Sequence, residues 1–206
     1  MRNNILITGI TGQVGSQLAD YILENTDLDV VGMMRWQEPL DNLYHLTDRI
    51  NKKDRISLYY ADLNDSGSVR DMIEKVQPRY ISHLAAQSYP KTSFDIPIET
   101  LQTNIIGTAN IVKACNEKKI KIIFFSSNYV YPGKKGNYKE KDPVLPWNNY
   151  GWSKLGSEAA VQMYKNSLII RACMTEKPFT HKSAFTNVKT NFIFHDEFAK
   201  LLIKVI

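Results

Sequence analysis

The chain lacks the features that would place it in a specialised class. It has only two cysteines, Cys115 and Cys173, far apart in sequence, which excludes a small disulfide-stapled fold. No apolar run approaches the roughly 20 residues that cross a bilayer, so no membrane partner is expected. The opening Met-Arg-Asn-Asn meets an apolar run of only Ile5-Leu6-Ile7, too short for a signal-peptide core. With two unpaired-looking cysteines, this reads as a cytoplasmic protein. Internal repeats and low-complexity tracts are missing. A concentrated basic patch is missing too: 26 basic residues exceed 21 acidic ones by +5, but the lysines are scattered in pairs such as Lys52-Lys53, Lys118-Lys119 and Lys134-Lys135. Nucleic acid is therefore not an expected partner, and the excess reads as solvated surface.

What is present is an ordinary globular mixture. Of 206 residues, 43% are hydrophobic and 23% charged, which supplies one sizeable core in one domain, or in one domain with a small appendage. Strands are expected at residues 4–8, 30–34, 56–60, 80–84, 121–126 and 167–171, and helices at 14–25, 69–75, 98–118 and 151–164. Runs such as Ile122-Ile123-Phe124-Phe125 lack polar alternation, as strands covered on both faces do. The fold class is therefore α/β, a doubly wound parallel sheet. Two polar, irregular stretches, 35–55 and 132–149, follow strand ends, where open α/β sheets bind ligands.

The first chemical signal is Thr8-Gly9-Ile10-Thr11-Gly12-Gln13-Val14-Gly15, three glycines between the first strand and first helix. Glycine there serves a tight turn, backbone approach to a pyrophosphate and close helix–strand packing, and the helix N-terminus favours an anion. After the second strand no acid occurs until Glu38, whereas Arg35 suits a ribose 2′-phosphate, which favours NADP over NAD. Arg35 alone also reads as a surface arginine. Asp62-Leu63 after the third strand serves either to hold an adenine or to open the turn into the next helix, with Asp65 or Ser66 as its cap. Leu84-Ala85-Ala86-Gln87 after the fourth strand serves either to admit a cofactor closely or to pack beneath a helix.

The second signal is Tyr150-Gly151-Trp152-Ser153-Lys154, with Ser126-Ser127 closing the fifth strand. Tyr150 and Lys154 are four apart and share a helix face. An ammonium beside a phenol is expected to lower its pKa and fit Tyr150 for proton exchange with a hydroxyl or carbonyl. Ser127 would orient that oxygen, and Lys154 would also hold the nicotinamide ribose.

Together these residues resemble the extended short-chain dehydrogenase/reductase family, the NAD-dependent epimerases, dehydratases and reductases of sugar nucleotides, whose nucleotide-binding part is Rossmann-like. Residues 7–13, Gly32-Met33-Met34-Arg35, Ala86-Gln87-Ser88, Ser93-Phe94-Asp95 and Thr103-Asn104-Ile105-Ile106-Gly107-Thr108 are similar to the family's GDP-mannose 4,6-dehydratase branch. So is Phe194-His195-Asp196-Glu197-Phe198-Ala199 to the segment that opens a late helix in the family. The resemblance implies cofactor contacts from Gly9, Thr11, Gly12, Gln13, Val14, Gly15, Arg35, Asp62, Leu63, Leu84, Ala85, Ala86, Gln87 and Asn104, with Tyr150 and Lys154, and no metal. It implies Ser127, Tyr150 and Lys154 as the catalytic set and a homodimer as the assembly. Dehydratases follow the serine or threonine with acids, but here Asn128-Tyr129 follow, which is closer to the dTDP-4-dehydrorhamnose reductase branch. The expectation is an oxidoreductase reducing a 4-keto-6-deoxy sugar nucleotide with NADP or NAD, the alternatives being an epimerase, a 4,6-dehydratase or a non-catalytic dinucleotide sensor or scaffold. Residues 1–171 would form the dinucleotide-binding domain, and 172–206 a much reduced substrate-side segment packed on it.

Overall fold

The apolar runs become strands. In the computed structural model, which describes residues 3–175, 177 and 192–205, six parallel strands form one sheet. They are β1 (Asn4–Thr8), β2 (Asp29–Met34), β3 (Ile56–Tyr60), β4 (Tyr80–His83), β5 (Lys121–Ser127) and β6 (Ser167–Ala172), in the order β3-β2-β1-β4-β5-β6. Every residue of β1 is buried, as a central strand covered on both faces requires. The helices are α1 (Gln13–Asn25), α2 (Thr47–Lys52), α3 (Ser66–Val76), α4 (Thr92–Asp95), α5 (Pro97–Leu101), α6 (Gly107–Lys118), α7 (Asn149–Gln162) and α8 (His195–Leu202). Alternate strand residues face opposite layers. Leu6, Val31, Ile81 and Phe124 pack with Ile73 and Ile111 of α3 and α6. Ile5, Ile7, Ile123 and Phe125 pack with Leu18, Ile22 and Phe198 of α1 and α8. This is the doubly wound, Rossmann-like arrangement, and its strand order reverses between β1 and β4, which opens a crevice at their carboxyl ends.

Two stretches differ from the sequence-based expectation. Residues 98–118 are not one helix: α5 and α6 are joined by a π-helical turn over Gln102–Ile106, a local widening common at functional sites. The 35–55 stretch holds a 3-10 helix, Asp41–Leu46, and α2, because Leu43 and Leu46 are buried in the α1-side core. By contrast, 132–148 contains no helix or strand. A second, two-stranded sheet pairs β7 (Met174–Thr175) with β8 (Ile193–Phe194). Most of the span between Arg171 and Phe192, expected on the substrate side, lies outside the described residues.

Candidate active site

β1 ends at Thr8, and the chain turns at Gly9 with φ +72°. A Cβ at Gly9 would lie 2.9 Å from the Ala85 backbone, and one at Gly15 would lie 2.3 Å from the Gly9 carbonyl oxygen. The glycine turn therefore rests directly on the loop after β4. Thr8 fastens the two: its Oγ1 accepts the N–H groups of Leu84 and Ala85, each at 3.1 Å, and contacts His83 Nδ1 at 2.8 Å. With its lone pairs engaged, the hydroxyl donates to Nδ1, and His83 Nε2–H then donates to Thr108 Oγ1 at 2.9 Å. His83 is held neutral, since burial and the nearby Lys154 ammonium push its pKa down to about 3. α1 starts after Gly12 with no capping side chain and no acid in its first turn, which leaves its N-terminal partial charge available to an anion.

These turns wall a cavity of about 570 Å³ at the carboxyl ends of the strands. Of the residues expected to meet a dinucleotide, Gly9, Thr11, Gly12, Arg35, Asp62, Leu63, Leu84, Ala85, Ala86 and Gln87 line it. Gln13, Val14 and Gly15 form the first turn of α1 and do not line it. Asn104 does not line it either: it stands behind the wall, buried, and its amide is hydrogen-bonded within the protein. Its Oδ1 accepts the Gln87 N–H at 2.8 Å, and its Nδ2 donates to the Gln87 carbonyl at 3.0 Å and to Ser153 Oγ at 2.8 Å. Asn104 thus positions Gln87 and ties it to α7. Asp62 Oδ1 accepts the Asn64 N–H at 2.8 Å while Asp65 caps α3, so Asp62 both shapes its turn and lines the cavity.

The cavity is also lined by residues that the sequence reading did not assign to the site, Asn42, Glu99 and Glu38 among them. Asn42 Nδ2 donates to the Thr11 carbonyl at 2.8 Å and docks the 3-10 helix on the glycine turn. Glu99 of α5 forms part of the opposite wall. Glu38 stands beside Arg35, its Oε2 accepting the Arg35 N–H at 2.9 Å and its Oε1 lying 3.5 Å from the guanidinium. Only Glu38 left a signal, as the first acid after β2; Asn42 and Glu99 arrive by long-range packing. The donor set suits a dinucleotide: an uncapped helix start for a pyrophosphate, Met33 and Leu63 for a flat ring, and carboxylates for hydroxyl and amino groups.

Ser127, Tyr150 and Lys154 do not line that cavity. Ser127 and Tyr150 share a hydrogen bond where α7 leans on the end of β5, and Lys154 lies one turn further along α7. Asn148 Oδ1 caps α7 by accepting the Gly151 N–H at 2.6 Å, and a Cβ at Gly151 would lie 2.6 Å from the Tyr129 carbonyl oxygen. Glycine therefore lets the first turn of α7 close on the 3-10 turn Asn128–Val130. The expected lowering of the Tyr150 pKa is absent. Burial, followed by Tyr129, pushes Tyr150 up to about 12, against the opposing hydrogen bond from Ser127. Lys154 is buried with Nζ 4.2 Å from the centroid of the Phe124 ring. Burial pushes it down to about 7, and Glu158 opposes that shift. Desolvation dominates both shifts, which spacing alone does not reveal.

One turn beyond Lys154, the buried Glu158 accepts from Arg171 Nε at 2.9 Å and from its Nη2 at 2.6 Å, and from the Ser126 hydroxyl. Arg171 Nη1 donates to Tyr131 Oη at 2.8 Å and to the Glu140 carbonyl at 3.2 Å. Tyr131 in turn stacks on Tyr138, with ring centroids 4.9 Å apart. This chain of bonds ties α7, β5 and β6 to the 132–148 loop.

Among curated proteins, the chain is similar to the GDP-mannose 4,6 dehydratase of Drosophila melanogaster, 34% identical over 178 residues, which are 82% of this chain and 45% of the relative. It is also similar to the UDP-glucose 4-epimerase of Mycoplasma genitalium, 29% identical over 180 residues, 84% of this chain and 52% of the relative. The chain spans about half the length of these curated relatives. Among solved structures, a hypothetical dTDP-4-dehydrorhamnose reductase from Sulfolobus tokodaii superposes with TM-score 0.79 and 26% identity, over 100% of this chain and 72% of that one. The UDP-glucuronic acid 4-epimerase of Bacillus cereus, in complex with UDP-glucuronic acid and NAD, gives TM-score 0.73 and 25% identity, over 84% of this chain and 57% of that one. The model of the GDP-mannose 4,6 dehydratase family matches residues 6–195, across the glycine turn and the Ser127–Tyr150–Lys154 cluster alike, and the chain belongs to that family.

Proposed function

We propose that this chain is an NAD(P)-dependent oxidoreductase of nucleotide-linked sugars, and that its reaction is reduction of a 4-keto-6-deoxy sugar nucleotide. The observation that carries the choice is the turn after Ser127. Asn128 and Tyr129 occupy it, no carboxylate stands in it, and the Tyr129 ring meets Tyr150 edge-on at 6.0 Å. Dehydration needs an acid and a base there, whereas reduction needs one proton donor. The buried Glu158 does not replace them, because Arg171 and Ser126 occupy its oxygens.

A bound nicotinamide dinucleotide supplies the hydride. The protein holds the proton: Tyr150, protonated at neutral pH with its pKa near 12, gives it to the carbonyl oxygen as that oxygen becomes an alkoxide. The Ser127 hydroxyl hydrogen-bonds the same oxygen, and Lys154 restores charge balance beneath Tyr150 and holds the nicotinamide ribose. The preference for NADP expected from Arg35 now depends on the Arg35–Glu38 pair. An epimerase is the second reading, since the relatives from Mycoplasma genitalium and Bacillus cereus are named as epimerases, and product analysis separates the two. A homodimer belongs to this reading: Ile98, Ile106 and Trp152 are exposed on α5, the π-helical turn and α7, and sedimentation tests it.

The test is oxidation of reduced dinucleotide in the presence of GDP- and dTDP-linked 4-keto-6-deoxy sugars. Turnover is expected, and Tyr150→Phe is expected to lower it by about 10²–10⁴-fold with dinucleotide binding retained. Wild-type turnover in Tyr150→Phe, a 4-keto product from GDP-mannose, or binding without turnover on any of these sugars each sinks the reading.

A further inference from the structure

We infer that the nucleoside diphosphate end of the substrate docks on the 132–148 loop, its base stacking on Trp147 and its phosphates meeting Lys134 and Lys135. The inference rests on the nucleotide-sugar reading above and places the half of the substrate that does not react.

The subsite begins beside the reacting group. Tyr150, Tyr129 and Trp147 form a chain of rings, each edge-on to the next, with centroids 6.0 and 5.6 Å apart. The chain runs outward: Tyr150 and Tyr129 are half-buried, whereas Trp147 is 63% exposed. Pro146 and Asn148 on either side of it are buried, so the indole is held at the surface on an anchored backbone. An exposed indole presents a flat apolar face, and a nucleobase that stacks on such a face gains affinity whatever groups its edge carries.

Cations follow on the indole N–H side. A Cβ at Gly133 would lie 3.9 Å from Trp147 Nε1, so the loop passes the indole there and continues into Lys134 and Lys135, both exposed. Their backbone is fixed. The N–H groups of Lys134 and Lys135 donate to Tyr138 Oη at 2.8 and 3.2 Å, and the Tyr138 ring stacks on Tyr131, which Arg171 holds. A loop ordered before binding loses little entropy on binding. The Lys135 ammonium lies 3.5 Å from Asp142 in an exposed pair, which contributes little and yields to a stronger anion. Lys134 makes no ion pair among the described residues. The dinucleotide cavity has the opposite charge, with Glu38, Asp41, Asp62 and Glu99 set against Arg35. A second diphosphate is therefore better matched by the loop than by that cavity.

The test is tryptophan fluorescence of the whole chain carrying Trp36→Phe and Trp152→Phe, which leaves Trp147 as its one indole. It is titrated with GDP, dTDP, guanosine and pyrophosphate while a nicotinamide dinucleotide saturates the other cavity. If the double variant does not fold, the difference between wild type and Trp147→Phe gives the same signal. GDP and dTDP are expected to quench Trp147, guanosine to do so with lower affinity, and pyrophosphate to compete with GDP. Trp147→Ala should weaken GDP binding, read by calorimetry, on the order of tenfold, and Trp147→Phe, which keeps a flat face, should restore most of it. Lys134→Gln should weaken it several-fold and flatten its dependence on salt between about 0.05 and about 0.5 M. No quenching by GDP while the keto-sugars turn over overturns the inference and leaves the reading of the reaction standing. Equal affinity for guanosine and GDP at both salt concentrations overturns it as well, because the phosphates then have no partner. Quenching without turnover supports the subsite and sinks the reading of the reaction, and neither quenching nor turnover sinks both.

Discussion

Lys154 shows how much a single buried charge can set against the fold. It is 4% exposed and lies against an aromatic face, where its charge is poorly solvated. Its pKa falls from 10.5 in the unfolded chain to about 7 in the fold. Between those values the unfolded chain binds a proton that the folded protein has shed, so stability rises with pH across that window. Below about 7 both states are protonated and the desolvation penalty is complete. Lys154→Met keeps the stem and removes the charge. It is expected to raise the melting temperature, and to do so more at about pH 6 than at about pH 9; equal gains at the two pH values would contradict the assignment. His83 acts in the same direction lower on the scale: with its pKa at about 3 against 6.5 unfolded, it removes stability as pH falls through that interval. The spacing of Tyr150 and Lys154 on one helix face was legible in the sequence. The direction of their pKa shifts was not, because burial is decided by Phe124 and by neighbours from other elements.

At the scale of elements, the question is what keeps α7 in register with the strands that carry the rest of the site. Two buried polar connections do so. Asn104 joins the π-helical turn to Gln87 and to Ser153 of α7, and Glu158 joins α7 to Ser126 and Arg171. Removing one partner of the second leaves a desolvated charge. Glu158→Gln is expected to destabilise by about 3 kcal/mol, the lower end for a buried pair, because Arg171 keeps 18% exposure. Urea unfolding measures this, and a change under about 0.5 kcal/mol, the scale of an ordinary surface substitution, would show the pair is not effectively buried. The strands and the glycine turn were readable because β-branched runs and glycine spacing are local signals. The π-helical turn was not, since its sequence continues a good helical pattern, and the reason to widen it is tertiary: a carboxamide must reach a loop and a second helix at once. The short helices after β2 were missed for a similar reason. They exist because Leu43 and Leu46 complete the core beside α1, and six-residue helices leave little periodicity to detect.

For the whole molecule, the question is whether α8 belongs to the Rossmann-like fold or hangs from it. Its sequence neighbours are distant, but its contacts are central. Phe198, Ala199 and Leu202 are buried in the same layer as Ile7, Leu18 and Ile22, and the Phe198 ring meets Phe125 of β5 edge-on at 5.2 Å. A helix sharing a core this way should unfold with it. Phe198→Ala removes a buried aromatic side chain and is expected to cost about 3–5 kcal/mol. The tryptophans allow the two cases to be separated. Trp36 lies beyond β2, and Trp147 and Trp152 lie at the start of α7; none belongs to the Phe198 core layer. If α8 is integral, Phe198→Ala moves the tryptophan-fluorescence midpoint in urea by the same amount as the far-ultraviolet circular dichroism midpoint, in one cooperative transition. If α8 is an appendage, the circular dichroism signal splits and the tryptophan midpoint stays at its wild-type value. The shared core argues for the single transition, which would make the segment that completes the α1 layer part of what holds β1 and its glycine turn in place.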